Sequence, residues 1–179
     1  MRIVAGKYRG KKLSSPLDEN TRPTLDKTRE SVFNIIGMKV IDSTCLDLFA
    51  GSGALGIEAI SRGAKKVVLN DAYNKAIKVI QENVNSLKDL ECEVIVSQKD
   101  YDEFLDNNDI KFDIVFLDPP YALKVNEYIV NKMIEKNMIN ENAVFIVETT
   151  KEDNFNINYE FSKVKEYRYG KTKLTVLWM

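Results

Sequence analysis

Residues 45–56 read Cys-Leu-Asp-Leu-Phe-Ala-Gly-Ser-Gly-Ala-Leu-Gly, an apolar run that ends in a glycine-rich turn. Cys45 to Phe49 lacks polar–apolar alternation, as expected of a strand buried on both faces of a parallel sheet. Gly51 and Gly53 allow a sharp turn and a close approach of backbone to ligand. Ala54 onward (ALGIEAISRG) reads as a helix whose N-terminal amides would face that ligand.

Outward from this turn, strand and helix patterns alternate. Strands are expected at 45–49, 66–70, 93–97, 112–117 and 143–148, with helices at 54–62, 74–87, 101–106 and 124–136. Such alternation predicts an α/β, doubly wound, mostly parallel sheet. After residue 148 the helices stop, and the segments from Tyr159 to Tyr169 and from Leu174 to Trp178 predict two closing, antiparallel strands. Upstream, Pro23–Ile36 is a helix candidate, with Thr24 as N-cap and Leu25, Thr28, Val32, Ile35 and Ile36 on one face; Gly37 stops it. Ile3 to Leu13 reads as a small β-hairpin, so the expected division is a basic hairpin or arm (1–22) followed by the main domain (23–179).

At 179 residues, with 44% apolar and 30% charged side chains, the chain can bury a core and is not of disordered composition. No run approaches the roughly 20 apolar residues of a membrane span. The opening MRIVAGKYRGKKL lacks a signal peptide's apolar core. Cys45 and Cys92 have no metal-ligand spacing, so a reduced, cytoplasmic setting without metal is expected. Net charge is −1, yet Arg2, Lys7, Arg9, Lys11 and Lys12 fall within the first 12 residues with no acidic neighbour. A basic arm on a near-neutral body suits a polyanion, though a solubilising surface segment would look the same. The absence of histidine rules out a His general base and His-containing zinc sites.

Gly51-Ser52-Gly53-Ala54-Leu55-Gly56 matches G-x-G-x-x-G, and Asp71 follows about 20 residues on, where a carboxylate can take a ribose diol. A nucleotide-like ligand at the strand C-termini is expected. A dinucleotide would be read similarly, but Asp47 in the preceding strand disfavours a pyrophosphate and suits a cation; the lesser alternative is a buried, hydrogen-bonded structural group. Asp100 could accept from an adenine amino group or cap the short helix after it.

Strand 112–117 delivers Asp118-Pro119-Pro120-Tyr121 to the same rim. Two prolines remove two N–H donors and stiffen a loop rich in acceptors. Asp118 and the Pro119 carbonyl can then accept from one aromatic amino group, tilting its lone pair toward an electrophile, and Tyr121 offers a stacking face. Asp-Pro-Pro is also an ordinary strand-ending turn. A heteroaromatic amine needs a reactive electrophile, and a sulfonium methyl donor supplies one whose charge suits Asp47 and Asp118.

With MRIVAGKYRGKKL, TRPTLDKTRESVFNII (21–36), CLDLFAGSGALGIEAISRGA (45–64), FDIVFLDPPY (112–121) and YGKTKLTVL (169–177), the chain resembles the RsmD family of bacterial 16S rRNA (guanine-N(2))-methyltransferases. These are class I enzymes dependent on S-adenosyl-L-methionine. The resemblance implies a seven-stranded sheet with the last strand antiparallel and an N-terminal β-hairpin extension for RNA. It implies Asp118, Pro119, Pro120 and Tyr121 at the target base. Asp47, Phe49, Ala50, Gly51, Ser52, Gly53, Asp71, Ala72, Asp100 and Tyr101 would bind the cofactor. RNA would meet Arg2, Lys7, Arg9, Lys11, Lys12, Arg22, Thr24 and Arg29. The partner would be 16S rRNA within the small ribosomal subunit or its assembly intermediates. The segment Asn70-Asp71-Ala72-Tyr73 departs from relatives in lacking a second acidic residue, and the body is less basic than an rRNA enzyme would suggest.

Overall fold

A computed structural model of the chain describes residues 1–15, 23–120, 123–153, 157 and 159–179, with side chains of the first helix described from residue 28 onward. The elements run α1 (Pro23–Ile36), a 3-10 turn (Gly37–Val40), β1 (Thr44–Asp47), α2 (Ala54–Ser61), β2 (Lys66–Asn70), α3 (Asn74–Asn85) and β3 (Glu93–Ser97). They continue with α4 (Tyr101–Asp106), β4 (Phe112–Leu117), α5 (Asn126–Glu135), β5 (Ile139–Thr150), β6 (Lys163–Tyr169) and β7 (Thr172–Trp178).

One seven-stranded sheet has the order β3-β2-β1-β4-β5-β7-β6. The pairs from β3 through β5 are parallel, and β7 runs antiparallel to both its neighbours. Successive residues of the central strands enter opposite cores, the consequence of a period of two in a sheet covered on both sides. Cys45, Ile114 and Phe116 pack with Phe33, Ile57 and Ile80 under α1, α2 and α3. Leu46, Val115 and Leu117 pack with Phe104, Ile129 and Met133 under α4 and α5. The unalternating run in β1 and β4 is therefore two apolar faces read at once.

Gly56 brings α2 against the sheet: a Cβ there would lie 2.3 Å from Leu69 Cδ2 and 3.1 Å from Val67 Cγ1. This is the close helix–strand packing for which the third glycine of the motif is suited.

The two-stranded N-terminal hairpin does not form. Residues 1–13 make a tight loop closed by a single antiparallel bridge, Arg2 to Lys12. Gly6 and Gly10 bend it at φ of 82° and 83°. Amides at its two ends bond across the loop, Ile3 N–H to the Lys11 carbonyl at 2.9 Å and Leu13 N–H to the Met1 carbonyl at 3.1 Å; those between are claimed by α2: Val4 and Ala5 donate to the two Glu58 carboxylate oxygens at 2.8 and 2.9 Å. Lys7 N–H donates to the Ser61 carbonyl at 2.7 Å, and Tyr8 N–H to Ser61 Oγ at 3.0 Å. Ile3 and Leu13 are buried in the same core as α1 and α2.

Smaller differences have local causes. The first helix starts at Pro23, so Thr24 lies in its first turn and not at the cap; proline suits that first position because its missing N–H would have had no partner. β1 ends at Asp47, two residues early, because Leu48 to Ala50 already turn toward the glycines. The helix expected from 124 starts at Asn126, since Lys124 has a φ of 46°. The strand expected from 159 starts at Lys163.

Candidate active site

The order 3-2-1-4-5 reverses direction between β1 and β4, and an open α/β sheet forms its ligand crevice at such a point. The C-terminal ends of these two strands present the glycine turn and the Asp118 loop to one cleft. Gly51 and Gly53 adopt φ of 57° and 78°, a region that side-chain-bearing residues rarely visit. Gly53 N–H closes the turn on the Ala50 carbonyl at 2.6 Å, while Ala50 N–H donates to the Asn70 carbonyl of β2 at 2.9 Å. Beyond Gly51 no atom lies within 4 Å of where a Cβ would be, so its backbone borders open cleft.

The cleft has a volume of about 1140 Å³, and Gly51, Asp71, Ala72, Asp100, Tyr101, Asp118, Pro119 and Pro120 all contribute to its walls. A smaller pocket of about 310 Å³ lies between the turn and α1, bordered by Met1, Thr28, Arg29, Asp47, Ala50 and Ser52. Phe49, Gly51, Asp118 and Glu148 belong to both. Gly53 shapes the turn from behind, against Ile57 and Ile80.

The carboxylates of this region are held by the backbone they organise. Asp71 Oδ2 accepts Gly51 N–H at 2.8 Å and Oδ1 accepts Tyr73 N–H at 2.9 Å. Each oxygen retains a lone pair, so the group can still meet hydroxyls while it fixes the turn. Asp100 is the N-cap of α4, with Oδ1 accepting from Asp102 and Glu103 amides at 2.8 and 2.9 Å; the capping role is thus real, and its second oxygen is the one left for a ligand. Phe49 and Tyr101 face one another with ring centroids 5.9 Å apart, an aromatic wall for a flat base.

Asp47 is buried and accepts Gly56 N–H at 3.0 Å. Burial pushes its carboxyl up to about 7, opposed by the Gly56 amide and reinforced by Asp71. Asp118 is accessible from the cleft. The enclosing walls, then the charges of Glu148 and Asp47, hold its carboxyl well above the usual carboxylate range. A cation beside these acidic groups would relieve the burial and mutual repulsion that raise Asp47 and Asp118, whereas a pyrophosphate would add to the repulsion. A methionine-type sulfonium at Asp47 and Asp118, a ribose at Asp71 and an adenine laid against the Phe49–Tyr101 pair fit these residues. A dinucleotide's phosphates do not.

The raised Asp47 carboxyl has a signed consequence for the free protein. In the folded state it stays protonated to about 7, whereas unfolded it ionises near 4. Between these values the folded state holds the extra proton, so this group's contribution to stability falls as pH rises. Asp47→Asn can keep accepting the Gly56 amide without the ionisation. Its stability relative to wild type should therefore increase between pH 4 and 8 in urea titrations; a pH-independent difference would mean that Asp47 ionises freely.

Among the arm residues, Arg2, Arg9 and Lys12 are exposed and Lys11 is half-buried. Lys7 is exposed but pairs with Glu91 at 2.7 Å. Arg29 is buried; its Nη2 donates to the Arg2 carbonyl, and its Nε lies 3.7 Å from Glu58 Oε2. It ties the arm to α2 while bordering the smaller pocket. Tyr121, Arg22 and the Thr24 side chain lie outside the described residues.

Three contributors escaped the sequence reading. Glu58 receives the arm. Asn83 Nδ2 donates to the Ser14 and Ser52 carbonyls at 3.0 and 2.9 Å, bracing the glycine turn from α3. Glu148 ends the buried stretch of β5 beside Asp118. Only Glu148 had a usable signal, a carboxylate at the C-terminal end of an expected parallel strand, as Asp47 and Asp118 are.

Residues 1–178 match the family model described as conserved hypothetical protein 95. The ribosomal RNA small subunit methyltransferase D of Haemophilus influenzae is 39% identical over 155 residues, 85% of this chain and 80% of that protein. The corresponding Escherichia coli protein is 35% identical over 153 residues, 86% of this chain and 76% of its own. A solved structure of a putative methyltransferase from Escherichia coli superposes with a TM-score of 0.86 at 28% identity, covering 99% of this chain and 97% of that one. With the match running through the arm, the glycine turn and the Asp118 loop alike, the chain belongs to the conserved hypothetical protein 95 family, the RsmD family of small-subunit ribosomal RNA methyltransferases.

Proposed function

We propose that this chain transfers a methyl group from S-adenosyl-L-methionine to the exocyclic 2-amino group of a guanine in 16S rRNA. The observation that carries the reading is the single cleft at the β1/β4 switch point, where the glycine turn and the Asp118-Pro119-Pro120 loop meet. Its carboxylates favour a cation, and the family's activity supplies the matching chemistry.

Bound in the cleft, the cofactor provides a methyl carbon on a sulfonium, which the amine attacks as the carbon–sulfur bond breaks to leave S-adenosylhomocysteine. The protein's part is orientation and electrostatics. Asp118 and the Pro119 carbonyl accept the two amine N–H groups and turn the nitrogen lone pair out of the ring's conjugation. After transfer the nitrogen carries one proton too many. Asp118, whose proton affinity is raised by its surroundings, takes it and passes it to solvent through the cleft mouth. Asp71 holds the ribose, Asp100 and the aromatic wall the adenine, and Tyr121 stacks on the target base.

The guanine must leave its stack to reach Asp118. Arg2, Arg9, Lys11 and Lys12, presented on a loop fastened beside the smaller pocket, hold the phosphates of the flanking RNA. The substrate is the small subunit or an assembly intermediate of it.

Small subunits from a strain lacking this activity, incubated with the protein and labelled S-adenosyl-L-methionine, should acquire label on one guanine. Folded, cofactor-binding protein that transfers no label would overturn the reading.

A further inference from the structure

Glu148 has no part in the methyl transfer described above, yet it borders the reacting atoms. Leu117 of β4 pairs in parallel with Val147 of β5. The residues that follow, Asp118 just past the end of β4 and Glu148 still within β5, therefore lie side by side, and both line the cleft and the smaller pocket. Glu148 is braced from two directions. Thr172 Oγ1 of β7 lies 3.4 Å from its Oε1, and Asn126 Nδ2 of α5 donates to its backbone carbonyl at 3.4 Å. The acidic groups facing this corner are Asp118 from the β4 end and Asp47 from β1; α1 contributes Arg29 to the pocket wall.

We infer that Glu148 is a specificity-determining residue that accepts the N1–H of the target guanine while Asp118 accepts from its 2-amino group. The inference rests on the proposed function and deepens it. Guanine presents N1–H and the 2-amino group as adjacent donors on one edge, and two neighbouring carboxylates form the complementary pair of acceptors. Adenine and 2-aminopurine place an unprotonated N1, with its lone pair, where Glu148 stands. A carboxylate facing that lone pair is repelled and left without a partner in a partly dehydrated site. Like-charge repulsion between Asp118 and Glu148 is relieved by guanine's two-donor edge and not by the donor–acceptor edges of adenine or 2-aminopurine.

The test uses small-subunit RNA carrying either guanine or 2-aminopurine at the nucleotide that the labelling experiment identifies. Both bases offer a 2-amino group; only guanine has the N1 proton. Wild-type protein should prefer guanine in kcat/KM by about tenfold to a hundredfold. In Glu148→Gln the carboxamide can donate to an unprotonated N1, so the ratio should shrink to within about threefold, through both a loss on guanine and a gain on 2-aminopurine. S-adenosylhomocysteine affinity and thermal melting of the variant should match wild type, which separates this outcome from misfolding. The base analogue's intrinsic reactivity cancels because the change in ratio between proteins is what is read. An unchanged ratio, or equal losses on both bases, overturns the role of Glu148 alone. Wild-type protein inactive on guanine RNA overturns the proposed function and this inference with it.

Discussion

Asp118→Asn is expected to slow single-turnover methyl transfer by about 10²–10³-fold, the usual loss when one preorganised electrostatic partner of a reacting group is removed. The substitution preserves shape but can turn an N–H donor toward the target amine, so the nitrogen lone pair is no longer directed at the methyl carbon. Asp118 sits on the loop after β4 and shares the cleft with Asp71 and Asp100, the groups proposed for ribose and adenine. S-adenosylhomocysteine affinity should therefore stay within about threefold, so that the loss appears in the rate and not in binding. Wild-type turnover should also climb with pH. A carboxyl raised above its ordinary range is protonated at low pH, where it can neither accept a proton nor oppose the sulfonium charge, and it gains both abilities as it ionises. The Asn variant should lose that rise. Quenched-flow transfer at pH 6 to 9 measures both, and an undiminished rate in the variant would move the chemistry away from this loop.

Glu58→Ala should cost about 3–5 kcal/mol of stability, because it takes the carboxylate from a buried charge cluster while leaving the cations behind. Glu58 is completely buried. Its oxygens accept from Val4 and Ala5, and Arg62 Nε lies 2.8 Å away, with Arg29 Nε at 3.7 Å on the other side. Loss of this acceptor strands two arm amides and releases the loop that Ser61 also holds. Urea denaturation should show the lower midpoint, and limited proteolysis should cut within residues 1–15 well below it. Glu91→Ala, which removes the exposed partner of Lys7, should leave both readings unchanged. If Glu58→Ala unfolds like wild type, the arm is held by Ile3 and Leu13 packing instead.

The docked arm also changes what its charges mean. Five cations in 12 residues read as a basic hairpin or arm, but the loop's peptide groups are fastened to α2 and Lys7 pairs with Glu91. The exposed charges of Arg2, Arg9 and Lys12 are then presented on a docked loop, which would lower the entropy lost in the proposed RNA contact.

What the sequence alone determined are features with a local physical cause. The doubly buried β1 and β4, the glycine turn forced by left-handed φ, the Asp-Pro-Pro corner and the helix–strand alternation each follow from neighbouring residues. Together they put the glycine turn and the Asp-Pro-Pro corner on one rim of the sheet, where both line one cleft. Tertiary structure alone decided which buried polar groups meet. Val4 reaches Glu58 across 54 positions, Ser14 reaches Asn83 across 69, and the register that brings Glu148 beside Asp118 is set by β4–β5 pairing. Hydrophobic periodicity says that a position is inside; it carries no information about the partner of a carboxylate once there, because that partner is supplied by whichever distant segment leaves an amide or cation unsatisfied at the same place. The arm's pairing stops at one bridge for the same reason: the amides of Val4, Ala5, Lys7 and Tyr8 meet acceptors on α2 and not on a second strand.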